Sequence, residues 1–196
     1  TGVAGNDGMK AGGRADVMLG GVGNDIFILN ASNVTALINV FGSGDNLIQL
    51  ARVDSGAGMD TIRQSGTDMD MTHVKATGAS TADRFSRIES IQMIDLATDG
   101  NGNTAKIAVS DVIDTAGMNQ FNSDNSWAGP GATEIRHQIV VLGTASDTVE
   151  LVDGNSAWAE GSTIAGVPSG TYVIGNHNTA AVQLLINSSI TVNTSA

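Results

Sequence analysis

Apolar positions in this chain come in short bursts. In the first thirty residues they recur on a nine-residue beat. Written in blocks, residues 2–10 read GVAGNDGMK, residues 11–19 AGGRADVML and residues 20–28 GGVGNDIFI. Met9, Met18 and Phe27 share one register, each two positions after Asp7, Asp16 and Asp25. Further on, residues 34–41 (VTALINVF) and 47–50 (LIQL) read as strands flanking the turn GSGDN. Residues 88–96 (IESIQMIDL) form a strand of mixed alternation, and 105–109 another. Ser110 reads as the N-cap of a short helical turn, SDVIDTAG. Residues 137–142, 147–152, 171–174, 179–186 and 190–192 complete a set of short strands with turn residues between them, and long helices are absent. That spacing predicts an all-β chain: an antiparallel β-sandwich over residues 31–196, preceded by a short repeat segment over residues 1–30.

The repeats carry the candidate chemistry. Gly5 and Gly23 match between the first and third blocks, while Arg14 replaces glycine in the second. Glycine permits the turn conformations that bring backbone carbonyls to one edge. An adjacent aspartate adds hard anionic oxygens, and calcium takes six to eight oxygen ligands in irregular geometry. Residues 54–62 (DSGAGMDTI) repeat the spacing with Gly56, Gly58 and Asp60, which makes Gly58 and Asp60 candidates for a further calcium. Asp147, four residues after Gly143, is another candidate, and Asp45 a weaker one. The plain alternative is a series of Gly-Asp turns that hold no metal.

This beat is the nonapeptide G-G-x-G-x-D-x-U-x, and the chain resembles the RTX family of calcium-dependent, type I-secreted bacterial proteins. The resemblance implies a parallel β-roll in which alternate repeats share a side. Asp7 and Asp25 would then share one calcium and Asp16 would face the opposite edge, where Arg14 stands in place of a turn glycine. Three repeats are too few to be a whole fold, so the roll is expected as a short appendage. The order RIESIQMIDL, NGNTAKIAVSDVID, HQIVVLGTASDTVEL, TYVI and AVQLLINSSITV resembles a module of very large RTX adhesins of Gram-negative bacteria. What this implies is a calcium-stabilised antiparallel β-sandwich with a short N-terminal RTX β-roll segment, holding several Ca2+ ions, in an extracellular, cell-surface protein.

Residues 118–137 (MNQFNSDNSWAGPGATEIRH) resemble the longer variant found in peptide-binding domains of such adhesins. The implied function is calcium-dependent binding of a peptide or protein ligand on another cell, the alternative being a calcium-rigidified structural module with no ligand of its own. Asn122, Asp124 and Asn125 beside Trp127 would form the pocket, with Asp124 also able to reach metal. His137 and Gln138 begin the strand that leaves it. The bland reading is a polar loop with a tryptophan tucked beneath it.

Composition changes the picture in a few places. The 196 residues carry 20 acidic and 9 basic side chains, a formal charge of -11, which argues against a nucleic-acid partner. The absence of cysteine excludes disulfide scaffolds and thiolate metal sites. No apolar run is long enough for a membrane span, so no membrane insertion is expected. No basic segment followed by an apolar one opens the chain, so it is expected to be an excised, monomeric piece of a longer protein. Neither an H-E-x-x-H zinc motif nor a G-x-S-x-G elbow occurs, and no enzyme is expected.

Overall fold

The computed structural model describes residues 1–12, 15–39, 51–74, 86–127, 132–152, 157–166 and 170–195. The predicted strand at 47–50, its preceding turn with Asp45, and Arg14 lie outside the described residues. Among the described residues the chain is mostly β-strand, with two α-helices.

The strands fall in three sheets. The first contains β1 (Gly8–Lys10), β3 (Ile26–Leu29), β5 (Thr61–Gln64), β8 (Met93–Asp95), β10 (His137–Leu142), β14 (Val182–Asn187), β13 (Gly170–His177) and β12 (Trp158–Gly166), in that spatial order. The second is β2 (Val17–Val22), β4 (Arg52–Ala57) and β7 (Ile88–Glu89). The third runs β15 (Thr191–Ser195), β11 (Thr148–Val152), β9 (Thr104–Ile107) and β6 (Met69–Asp70).

The chain visits these sheets in rotation. From β4 it passes to β5, then β6, then returns to the second sheet at β7 and on to β8 and β9. Within each sheet successive visits pair in parallel. That combination is a parallel solenoid, in which each turn of chain stacks on the last and its strands supply one another's crossovers.

The antiparallel sandwich expected from strand spacing is therefore corrected. Among the described residues antiparallel strand pairing is confined to β12, β13 and β14, beside one isolated antiparallel bridge between Met118 and His137. Alternation of apolar and polar residues is the same in parallel and antiparallel strands, so the pattern could not separate them. The division expected at residue 30 does not interrupt the structure either. The first sheet runs unbroken from β1 through β3 and β5, and a single apolar cluster extends from Met18 to Ile190.

The interior is built from stacked side chains, one per turn. In the first sheet Met9, Phe27, Ile62, Ile94, Val141 and Ile186 occupy matching positions on successive strands. Phe27, Ile62, Ile94 and Val141 are fully buried. Met18, Val53 and Ile88 stack in the second sheet, and Met69, Ala105 and Val149 in the third. Each such residue contributes about 1.5–3 kcal/mol of burial. The inward register of Met18 and Phe27 is the one the nine-residue beat predicts.

Two helices replace strand on the outside of the turns. α1 (Ala31–Ile38) overlaps residues expected to be a strand. Asn30 decides the matter: its side chain accepts the Ser32 and Asn33 N–H groups at 2.9 and 3.1 Å, and the Asn33 side chain accepts the Asn30 N–H at 3.0 Å. This reciprocal cap outweighs the β-branched residues in the run, and Val34 and Leu37 bury one face. α2 (Val109–Thr115) stands where the next strand of the second sheet would lie. It carries the expected helical turn, but Ser110 lies inside it and Ala108 is the N-cap, because the Asp111 side chain accepts the Ala108 N–H at 2.8 Å.

Candidate metal column and the loop beside it

Parallel stacking brings one side chain per turn to the corner between the second and first sheets. Asp7, Asp25, Asp60 and Gln92 each stand one residue before a strand of the first sheet, namely β1, β3, β5 and β8. They form a hydrogen-bonded ladder. The Asp7 N–H donates to Asp25 Oδ1 at 2.8 Å, the Asp25 N–H to Asp60 Oδ1 at 2.7 Å, and the Asp60 N–H to Gln92 Oε1 at 2.7 Å. The steps span 18, 35 and 32 residues. The first is two nonapeptides, and the other two absorb inserted chain without disturbing the corner.

One oxygen of each central carboxylate is thereby used and the other is not. Asp25 and Asp60 are both fully buried, and Oδ2 of each has no hydrogen-bond partner. Two such oxygens stacked about 4.8 Å apart by the strand spacing are an unusual expense in a folded protein. Burial raises the Asp60 carboxyl above its ordinary 3.8, and the Asp25 charge adds to the rise, against the Asp25 N–H and Ser55, which lower it. The Ser55 hydroxyl lies in reach of the Ser90 and Glu89 carbonyls as well, and no hydrogen bond to Asp60 Oδ2 is formed.

Glycines let further oxygens approach. A Cβ on Gly20 would lie 2.3 Å from the Ser55 carbonyl oxygen and 2.4 Å from Asp25 Oδ2. One on Gly2 would lie 2.3 Å from the Gly20 carbonyl oxygen and 2.6 Å from Asp7 Oδ2. A bare glycine thus draws one carboxylate oxygen and one carbonyl of the next turn together. Gly23 and Gly58 have φ of +134° and +153°, and added Cβ atoms would meet the carbonyls of Gly5 and Gly23 at 2.2 and 2.0 Å. Among the described residues no three His, Cys, Asp or Glu side chains gather around one point. The acids stack along an axis, so a cation here would be held by carboxylates of successive turns together with backbone carbonyls, a donor set that suits calcium.

A second ladder at the same corner was not foreseen. Asn6 Oδ1 accepts the Asn24 N–H at 2.8 Å, and Asn24 Oδ1 accepts the Met59 N–H at 3.0 Å. The recurrent GND of the first and third blocks was its signal.

Asp16 does lie apart from this column, ahead of β2 in the second sheet. Its Oδ2 is buried without a partner, but the residue matching it on the next turn is Ala51, so no acid stacks on it. Asp147, a further metal candidate, puts both of its oxygens into hydrogen bonds with its own chain. Oδ1 accepts the Asn103 N–H at 3.0 Å, and Oδ2 accepts the Thr144 N–H and hydroxyl at 2.7 and 2.9 Å. It anchors a turn.

Three of the six residues expected to form a ligand pocket, Asn122, Trp127 and Gln138, are interior. Trp127 is buried, with Phe121 at 5.3 Å on one side and Tyr172 at 4.9 Å on another, and a Cβ on Gly166 would strike its ring at 2.2 Å. It fills a second apolar cluster, leaving no face for a ligand. Asn122 is buried and caps a single 3₁₀ turn by accepting the Asn125 N–H at 3.0 Å. Gln138, fully buried, accepts the Phe121 N–H at 2.8 Å and donates to the Phe121 carbonyl and to Gln183 Oε1 at 2.9 and 2.6 Å. His137 places Nδ1 2.6 Å from the Ala116 carbonyl. Asp124 and Asn125 are exposed, and Asn125 donates to the Gln120 carbonyl at 2.9 Å.

No family model, curated protein or solved structure matches the chain.

The raised Asp60 carboxyl gives a prediction with a definite sign. A folded pKa above the unfolded one contributes stability that is full below the ordinary value and is lost as pH rises through the folded value. In chelator, urea melts of the Asp60→Asn variant should therefore lose less stability than the native chain as pH rises above the ordinary carboxyl value of 3.8. Parallel curves for the two proteins would remove Asp60 as the titrating group.

Proposed function

We propose that this chain is a calcium-rigidified solenoid module of a secreted, RTX-like protein, working as a stiff structural segment outside the cell. The single observation carrying the reading is the pair of fully buried carboxylates, Asp25 and Asp60, whose second oxygens lack any partner where backbone carbonyls approach. A divalent cation relieves the repulsion between them and supplies the missing partner. The nonapeptide spacing and the surplus of acidic residues point the same way.

Extracellular calcium is plentiful enough to fill such sites and cytosolic calcium is not, so the chain would reach its rigid form after export. The structural role is favoured over ligand capture because Phe121, Asn122 and Trp127 of the 118–137 segment are buried in the core. Isothermal titration tests the reading. Native protein should bind calcium, and the Asp25→Asn/Asp60→Asn pair, which keeps both acceptor oxygens of the ladder, should lose most of the heat. Equal heats for the two would refute it.

A peptide- or protein-binding role remains the second reading. It is favoured by an open groove that continues from the last rung, lined by Gly58, Glu89, Ser90, Gln92, Asp114 and Gln120. Its polar, acidic walls suit a basic or hydroxyl-rich partner.

A further inference from the structure

The column has an end. We propose that Ser55 and Gln92 close it, so that cations occupy the intervals between Asp7, Asp25 and Asp60 and none lies between Asp60 and the following turn. This rests on the calcium reading above and specifies which residues limit it.

Two substitutions act at that last interval. Gln92 occupies the rung after Asp60 and accepts its N–H at 2.7 Å, the same contact that Asp60 makes with Asp25 at 2.7 Å and Asp25 with Asp7 at 2.8 Å. The hydrogen-bond ladder therefore continues through Gln92 while the charge stops: an amide offers one neutral oxygen where a carboxylate offers two anionic ones. Ser55 occupies the position held by Gly2 and Gly20 in the preceding turns: the register that pairs Leu19 with Asp54 and Gly21 with Gly56 sets Gly20 opposite Ser55, and Ser90 lies one residue past the Asp54–Glu89 pair that ends β7. At Gly2 and Gly20 the carbonyl of the next turn faces a carboxylate oxygen across a bare glycine. At Ser55 the hydroxyl donates to that carbonyl, Ser90, and so competes with a cation for its lone pairs. The interval thus lacks the second carboxylate, and its carbonyl is shared with a hydroxyl. Beyond it, the register places apolar Ile139 on the rung after Gln92, so the column cannot resume there.

Calcium stoichiometry, measured by equilibrium dialysis on the full chain, tests the proposal. The Ser55→Gly/Gln92→Asp pair restores the ligand types of the earlier turns and should bind one more calcium per chain than the native protein. The converse change, Asp60→Gln, keeps the ladder contact while copying the closed rung and should bind one fewer. Far-UV circular dichroism in calcium establishes that each variant folds, and the Asp60→Gln arm decides if the double variant does not. An unchanged count in a folded variant, with calcium bound to the native chain, overturns the assignment of Ser55 and Gln92 and leaves the calcium reading standing. No calcium on the native chain overturns both.

Discussion

Chelation should lower the melting temperature of this protein by about 10 °C or more, because each cation at a hundred times its dissociation constant adds about 2.7 kcal/mol and each kcal/mol is about 2–4 °C at this size. Without metal, the buried Asp25 and Asp60 carboxylates must either ionise against each other with an oxygen apiece unpaired, or take up a proton. Both outcomes weaken the corner that joins the first and second sheets. The effect should be local in origin, since among the described residues the acidic corner itself passes to apolar Ile139 after Gln92. Magnesium should restore little, because it demands near-octahedral geometry at shorter distances than stacked carboxylates and carbonyls provide. Scanning calorimetry in calcium, in magnesium and in chelator reads the result, and identical transitions in calcium and chelator would contradict it.

Replacing Trp127 by alanine should cost about 3–5 kcal/mol, the usual range for a buried tryptophan. The ring lies between Phe121 and Tyr172 and against Gly166, in the cluster on the opposite face of the first sheet from the stacked core. Its loss would leave a cavity that this packed cluster cannot refill, and it would free the 118–127 segment from the sheet. Calcium affinity should stay close to native, because no rung of the acidic column touches this cluster. The opposite pattern, a nearly native urea midpoint with loss of a bound partner, would make Trp127 a ligand-contacting residue and restore the pocket reading.

The candidate column was legible in the sequence where the repeat was regular. Asp7 and Asp25 share a nine-residue beat with Met9 and Phe27, and Asp60 keeps the glycine spacing of the earlier blocks despite the longer step. Gln92 escaped notice because nothing in a glutamine at the centre of IESIQMIDL suggests the role of an aspartate. Only the parallel register places it on the same corner. That stretch also read as one strand, whereas Ser90, at φ +61°, turns the chain between β7 and β8. The solenoid was missed for a related reason. Turns of unequal length hide a repeat whose regularity lies in space, so the later strands looked like those of a sandwich. Residues 34–38, which read as strand, are helical because two asparagines, Asn30 and Asn33, build a helix cap that outweighs the β-branched composition. Trp127, which the sequence leaves open as pocket wall or buried anchor, lies buried between two aromatic rings.

Whether metal occupies the Asp7–Asp25–Asp60 corner is tested most directly by diffraction from crystals grown in millimolar calcium, with data collected for anomalous scattering. Difference peaks between successive rungs of that corner, within bonding distance of Oδ2 of Asp25 or Asp60, are the predicted result. A crystal that keeps this fold and shows no peak there would contradict the account.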